Sequence, residues 1–337
     1  MIKRFSYKRL YGLIFALMVT LFFLEQSVYA VSDGRYAHPE ALIQPEELKH
    51  MIDNKWSNIQ IIDVRPNLKY FTGHIPGAVQ VWRPDIEDKN HYLPGMMASR
   101  GQIENLMGNL GISNEDTLII YSDQYDHARL WWVLAYYGIS INQMKLLDGG
   151  IEGWKAKGFP TELKPTQVQK SGFVFPKNGT AFSSLLCGLP EVKSVSNNPK
   201  KVVLDVRSKK EYLGEEIKEG AQRAGRIPGV AWIEWKEALV EEGPHQGYWK
   251  QSEEIRKIFL TKRITPDKDI YIYCQSGVRS AHSLVSLYLA GYPLNKLHNF
   301  DGSWIEWSRT QEPIEAGLPA GQSDHDKSAF NKEGHPR

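Results

Sequence analysis

The hydrophobic and polar positions fall into short apolar runs followed by helical spacing. Residues 58–64, 117–121, 201–206 and 269–273 are brief and rich in β-branched and aromatic side chains. Runs of that length, bounded by turn residues, predict buried strands. Apolar positions then recur at helical intervals. Leu130, Val133, Leu134 and Tyr137 share one helix face, as do Ala281, Leu284, Val285 and Tyr288. Gly138 and Gly291 stand where a left-handed residue closes a helix. Strand then helix, repeated, predicts α/β units with a mainly parallel sheet and helices on both faces.

The pattern occurs twice. Ile61-Ile-Asp-Val-Arg65 returns as Val203-Leu-Asp-Val-Arg207, and Gly73-His-Ile-Pro-Gly77 as Gly225-Arg-Ile-Pro-Gly229. Thr117-Leu-Ile-Ile-Tyr121 returns as Asp269-Ile-Tyr-Ile-Tyr273. Leu147-Asp-Gly-Gly-Ile-Glu-Gly-Trp154 returns as Phe300-Asp-Gly-Ser-Trp-Ile-Glu-Trp307. The offsets are 142, 152, 152 and 153 positions, in one order, which places an insertion of ten residues around 211–225. Two domains are expected, at 38–160 and 181–317, joined by a polar linker at 161–180 and followed by a polar tail at 318–337.

Composition narrows the class. The 337 residues include 41 basic and 39 acidic side chains, a balance that gives no electrostatic reason to expect nucleic acid. Two cysteines, Cys187 and Cys274, cannot build a disulfide scaffold or a cysteine-rich zinc module. The N-terminus reads as a secretory leader: four basic residues within 1–9, an uncharged apolar stretch at 10–24, and small residues Val28 and Ala30. Cleavage is expected after Ala30, leaving a periplasmic or secreted chain with no membrane attachment and with 37 basic and 38 acidic residues.

The candidate chemistry lies in Tyr273-Cys-Gln-Ser-Gly-Val-Arg-Ser280. A cysteine ends an apolar strand, a short loop follows, and a helix starts near Arg279. In open α/β sheets, ligands bind beyond the carboxyl ends of strands. A loop curled around the sulfur would aim backbone N–H groups at it, the helix start would add partial positive charge, and Arg279 a full one. Each effect favours the thiolate, which is the nucleophile. The candidate site is therefore Cys274 as nucleophile, with Gln275, Ser276, Gly277, Val278 and Arg279 around the substrate.

With the paired Asp-Val-Arg and Ile-Pro-Gly elements, the Cys-Gln-Ser-Gly-Val-Arg loop and the Asp-Gly-Gly/Ser plus tryptophan segments, the chain resembles the tandem-domain rhodanese family of thiosulfate and mercaptopyruvate sulfurtransferases. The resemblance implies a rhodanese-like fold in each half. It implies a cysteine that takes sulfane sulfur, forms a persulfide and passes the sulfur to cyanide, a small thiol or a protein thiol. It calls for no metal and no organic cofactor. The first half has Ser122 after Tyr121, with Asp123 and Asp126 nearby, and a loop read as one residue shorter. That half is expected to be non-catalytic, with His127 and Arg129 structural. Glu211 stands where the family pattern has an arginine, and Gln275 and Ser276 follow the cysteine. Together with Arg279 these departures lean toward thiosulfate or another sulfane donor.

Other residues receive plainer readings. Cys187 falls in an apolar stretch of helical character and reads as core. Asp205 with Arg207, and Asp63 with Arg65, read as structural pairs; Trp304 and Trp307 read as packing. His245 and His282 lack partners at metal-ligand spacing. Two alternatives differ in class. One is a carrier that holds persulfide sulfur without turning over small acceptors. The other is a cysteine phosphatase, disfavoured because four residues rather than five separate Cys274 from Arg279.

Overall fold

A computed structural model describes residues 34–177, 182–195 and 198–319. The leader with its cleavage position, and the tail from residue 320, lie outside the described residues. The first half carries strands β1 (Leu42–Ile43), β2 (Ile59–Asp63), β3 (Val79–Gln80), β4 (Thr117–Tyr121) and β5 (Met144–Leu147). The second carries β6 (Leu186–Cys187), β7 (Lys201–Asp205), β8 (Ala231–Trp232), β9 (Asp269–Tyr273) and β10 (Leu297–Phe300). Each set forms a five-stranded sheet, ordered β1-β5-β4-β2-β3 and β6-β10-β9-β7-β8, and every pairing is parallel. Helices α1 (Pro45–Asp53), α2 (Asn67–Phe71), α3 (Arg100–Asn109), α4 (Asp126–Tyr137) and α5 (Gly150–Ala156) flank the first sheet. Helices α6 (Leu189–Lys193), α7 (Lys209–Leu213), α8 (Ser252–Thr261), α9 (Val278–Leu289) and α10 (Ser303–Trp307) flank the second.

The repeated motifs now have physical causes. Arg65 donates to both oxygens of Asp63 and to the carbonyl of Gly73; Arg207 does the same with Asp205 and Gly225. Tyr121 and Tyr273 donate to those carboxylates at 2.7 and 2.6 Å. Each aspartate and arginine is buried, so each charge needs this complete set of partners. The motif thus ties the ends of β2 and β7, and through the tyrosines those of the central strands β4 and β9, to the glycine that opens the Ile-Pro-Gly turn.

Helices α4 and α9 face each other across the junction and share one core cluster with residues from both sheets. Helix α4 is apolar and buried nearly all round, as a helix packed on both sides must be. The two Asp-Gly elements clasp the halves together. Asp301 accepts from the amide of Met97 at 2.9 Å, and Asp148 accepts from the amide of Trp249 at 3.0 Å. Arg129 of α4 crosses to Asp301 at 2.5 Å. Gly149 sits against Tyr248 so closely that a Cβ would come within 2.2 Å of its ring.

Two expectations need correction, and the linker gains a packing role. The loops after β4 and β9 are equal in length, four residues each, and α4 and α9 have 12 residues each. The single-residue difference falls after the helix, where Gly138 caps α4 directly but Ala290 precedes Gly291. Cys187 is not in an α-helix: a single 3-10 turn at Ser183–Leu185 leads into β6, and pairing with Phe300 defines the strand. It is buried, as read. The segment 161–177 is no bare linker. It runs along the first half, hydrogen-bonds to Gly108, Asn114 and Glu104, and buries Phe173 and Phe175.

Candidate active site

Cys274 lies at the carboxyl end of β9, with β7 and β10 on either side. The loop turns through Gly277, whose φ of +75° favours glycine, and α9 begins at Val278. A Cβ at Gly277 would also meet Arg129 and Asp301 within 3 Å. The loop is held from below. Ser303 Oγ accepts from the amides of Cys274 and Gly277 at 3.2 and 3.0 Å and donates to the Phe300 carbonyl. The amides of Trp304 and Ile305, in the first turn of α10, bond the carbonyls of Cys274 and Gln275. Asn299 donates to the Gly277 carbonyl at 3.0 Å.

The sulfur is buried, with 1% of the residue exposed. Burial alone would push the thiol up. The Arg279 charge, the Ser280 hydroxyl at 3.5 Å, and the amides of Ser280 and Ser276 outweigh it, and the thiol lies below its ordinary value. The surroundings therefore favour an anion at this sulfur. They would equally favour the terminal sulfur of a persulfide.

The predicted residues divide by role. Ser276 turns an amide to the sulfur, and its side chain abuts Gly95 of the first half. Val278 is buried at the start of α9. Gln275 lines the cavity, and its amide nitrogen donates to the carbonyls of Lys218 and Glu219 in the insertion. Arg279 lines the cavity, but its guanidinium is gripped by Glu211 through two bonds of 2.7 and 2.8 Å. Burial opposes the Glu211 carboxylate, yet Arg279 and the Ser208 hydroxyl hold it down at about 2. Arg279 therefore acts on the sulfur with a charge that Glu211 largely balances.

A cavity of about 450 Å³ opens over Cys274. Arg83 and Tyr125 come from the first half, and Glu216, Lys218 and Glu219 from the insertion. Helix α7 repeats α2 at an offset of 142, so the extra residues begin after Leu213 and form part of this wall. Three cations and three carboxylates line the cavity, so its walls are neutral overall before the thiolate is counted. Sequence reasoning located the insertion from the jump in repeat offset but not its place in the cavity wall, and it missed the roles of Ser280 and Ser303. Ser280 left a signal, as the serine one residue beyond Arg279.

The equivalent place in the first half is Ser122, at the end of β4. Its hydroxyl meets His127 Nδ1 at 2.7 Å, and the amides of Gln124 and His127 point to it at 3.2 and 3.5 Å. Among the described residues, no group of three or more histidines, cysteines or carboxylates stands together to hold a metal. Nor is any helix there long and apolar enough to cross a membrane.

This pair of parallel-sheet units, with a cysteine cradled at one strand end, defines the rhodanese type of α/β protein. The rhodanese-like domain family matches the chain twice, at residues 44–157 and 189–310, and the chain belongs to that family. It is 34% identical over 289 residues to the sulfur carrier protein TtuD of Thermus thermophilus, covering 81% of this chain and 95% of that one. It is 28% identical over 298 residues to a thiosulfate sulfurtransferase of Corynebacterium glutamicum, covering 84% and 92%. Among solved structures, an anaerobic ergothioneine biosynthesis enzyme from Chlorobium limicola, in complex with trimethyl histidine, superposes with a TM-score of 0.71. At 23% identity, over 84% of this chain and 72% of that one, the likeness is one of fold. The relatives' names place the chain in a family of proteins that carry or transfer sulfur.

Proposed function

We propose that the second half is a sulfurtransferase that moves sulfane sulfur from thiosulfate, or a related donor, to a thiophilic acceptor through a persulfide on Cys274. The thiolate attacks the outer sulfur of thiosulfate. The new S–S bond forms as the old one breaks, and sulfite leaves with the electron pair. The negative charge then rests on the terminal sulfur, within reach of the Ser276 and Ser280 amides and the Ser280 hydroxyl. A thiolate or cyanide attacks that sulfur, the S–S bond breaks again, and the Cys274 thiolate returns. The donor leaves before the acceptor reacts, so the kinetics are ping-pong.

One observation carries this reading: a buried thiol at the carboxyl end of β9, under a cavity, with the Ser280 hydroxyl 3.5 Å away and Arg279 on the same wall, surroundings that favour its anion. Burial otherwise disfavours the charged form. Arg279 and the loop residues Gln275, Ser276, Gly277 and Val278 are assigned to binding, Gln275 by anchoring the insertion that walls the cavity. The first half is assigned no sulfur chemistry, because the alcohol of Ser122 cannot form a persulfide. Export past a membrane, with loss of residues 1–30, belongs to the same reading.

A second reading is favoured by the neutral walls. A cavity that attracts dianions weakly suits a carrier loaded and unloaded by thiols, and TtuD is named a sulfur carrier. A phosphatase is disfavoured further, since Glu211 occupies the arginine that would grip phosphate. Steady-state kinetics with thiosulfate and cyanide test the choice. Parallel-line double-reciprocal plots, abolished in Cys274→Ser, support the enzyme. Stoichiometric loading without turnover supports the carrier.

A further inference from the structure

Two of the three cations that line the Cys274 cavity are already engaged. Both terminal nitrogens of Arg279 bond Glu211, at 2.7 and 2.8 Å, and Lys218 pairs with Glu216 at 2.5 Å within the insertion. Arg83, from the first half, is held differently. It opens a short 3-10 turn after β3, Arg83–Ile86, which the Asp85 carboxylate fixes by accepting from the Trp82 amide at 2.8 Å. Carboxylates approach Arg83 most closely at Nε, Asp126 at 3.5 Å and Glu87 at 4.0 Å. Neither contact is a hydrogen bond, and the Asp126 oxygen nearest Arg83 is buried without a partner. Among the described residues, neither Nη atom of Arg83 has a hydrogen-bond partner.

The electrostatics of the two arginines differ accordingly. Burial opposes Glu211, yet Arg279 and Ser208 hold its carboxyl at about 2. At Asp126 burial outweighs Arg83, and the carboxyl is pushed up to about 6. Asp126 and Glu87 stand outside the cavity lining, whereas Arg83 is part of it. Tyr125 lines the same cavity, and the charges of Arg83, Arg279 and the Cys274 thiolate all act on its hydroxyl. Both arginines and the sulfur are thus grouped around one tyrosine. The remaining carboxylate of the lining, Glu219, is exposed on the insertion, where water screens it.

We propose that Arg83 selects the sulfur donor: its Nη atoms receive the oxyanion end of thiosulfate or an organic thiosulfonate while Cys274 attacks the sulfur at the other end. A guanidinium presents a fixed fork of N–H donors that matches a pair of oxygens, which an ammonium group does not. The assignment rests on the sulfurtransferase reading above and deepens it, since the half without a cysteine supplies specificity to the half that has one. Arg83 takes no part in the bond changes. The S–S bond of the donor breaks as the Cys274 persulfide bond forms, and the sulfite or sulfinate that leaves with the electron pair departs from the Arg83 side.

Two measurements on the full chain separate this proposal from the reading beneath it. Alkylation of Cys274 by iodoacetamide in the presence of sulfate, at constant ionic strength, reads oxyanion binding without sulfur chemistry. Steady-state kinetics with thiosulfate and cyanide read the same binding during transfer. In Arg83→Gln the half-protecting sulfate concentration and the KM for thiosulfate are each expected to rise about tenfold, with a smaller change in kcat. Arg83→Lys keeps the charge but not the fork and is expected to recover only part of the loss. No sulfate protection in the wild type, or unchanged protection and KM in Arg83→Gln, overturns the proposal. So does an effect that lies wholly in the thiol, read as a displaced pH profile of alkylation without sulfate. Arg83-dependent protection in a protein that takes no sulfur from thiosulfate supports the oxyanion site and overturns the sulfurtransferase reading instead.

Discussion

Glu211 offers the sharpest perturbation of the site. Both of its oxygens hold Arg279, one of them also accepts from the Ser208 hydroxyl, and the side chain is 1% exposed. A carboxylate held at about 2 against an ordinary 4.5 corresponds to roughly 3 kcal/mol of preference for the charged form. Because the folded value is the lower one, that contribution is complete above about 5 and is lost as the pH falls toward 2. Glu211→Gln keeps the shape and one acceptor oxygen but leaves Arg279 uncompensated. The expected stability loss at neutral pH is about 1–3 kcal/mol, below that of a fully buried pair because Arg279 is 14% exposed. The variant also loses part of the wild type's acid sensitivity below pH 5. At the sulfur the effect has the opposite sense. A free guanidinium lowers the thiol further and draws anionic donors in. One uncompensated charge a few ångströms away, screened by an open cavity, is worth about 1.4 kcal/mol, or tenfold. Thiolate titration at 240 nm and the KM for thiosulfate are the assays. The acid limb of the loading rate should move to lower pH and KM should fall about tenfold. A folded variant with unchanged titration and unchanged KM refutes the claim that Glu211 balances Arg279.

Ser280→Ala removes the hydroxyl at 3.5 Å from the sulfur and should raise the thiol pKa, slowing loading several-fold below neutral pH and less above it; pH-dependent alkylation reads this directly. Asp301→Asn leaves Arg129 buried beside a neutral group and weakens the clasp to Met97, with an expected loss of about 3 kcal/mol in urea unfolding. His127 is buried and neutral, its pKa pushed down to about 3, so protonation favours the unfolded chain as the pH falls below 6.5. Stability at pH 5 should be lower by about 2 kcal/mol from this group, and a His127→Gln variant should lose that part of the pH slope.

Much of this was legible because the signals are local. Strand runs, helix spacing and the Asp-Val-Arg element involve neighbours within a few residues, and their recurrence exposed the two halves. The Cys274 loop was legible for the same reason. What escaped depends on distance along the chain. Glu211 and Arg279 are 68 positions apart, so a glutamate read as a departure from the family pattern proved to be the arginine's partner. Ser303 lies 29 positions from Cys274 and reaches it only because β10 lies beside β9. Phe173 and Phe175 sit in a polar, proline-containing stretch whose composition says linker, while two aromatic anchors dock it on the first half. The single-residue offset was real but misplaced, since residue counting alone cannot separate a shortened loop from a changed helix cap.

The central claim is that Cys274 carries sulfur, and intact mass of the folded, reduced protein after thiosulfate treatment tests it most directly. The account predicts the gain of one sulfur atom, reversed by dithiothreitol and absent in Cys274→Ser. An added sulfur that persists in Cys274→Ser would contradict the assignment of the carrier residue. No added sulfur in the wild type would contradict thiosulfate as the donor.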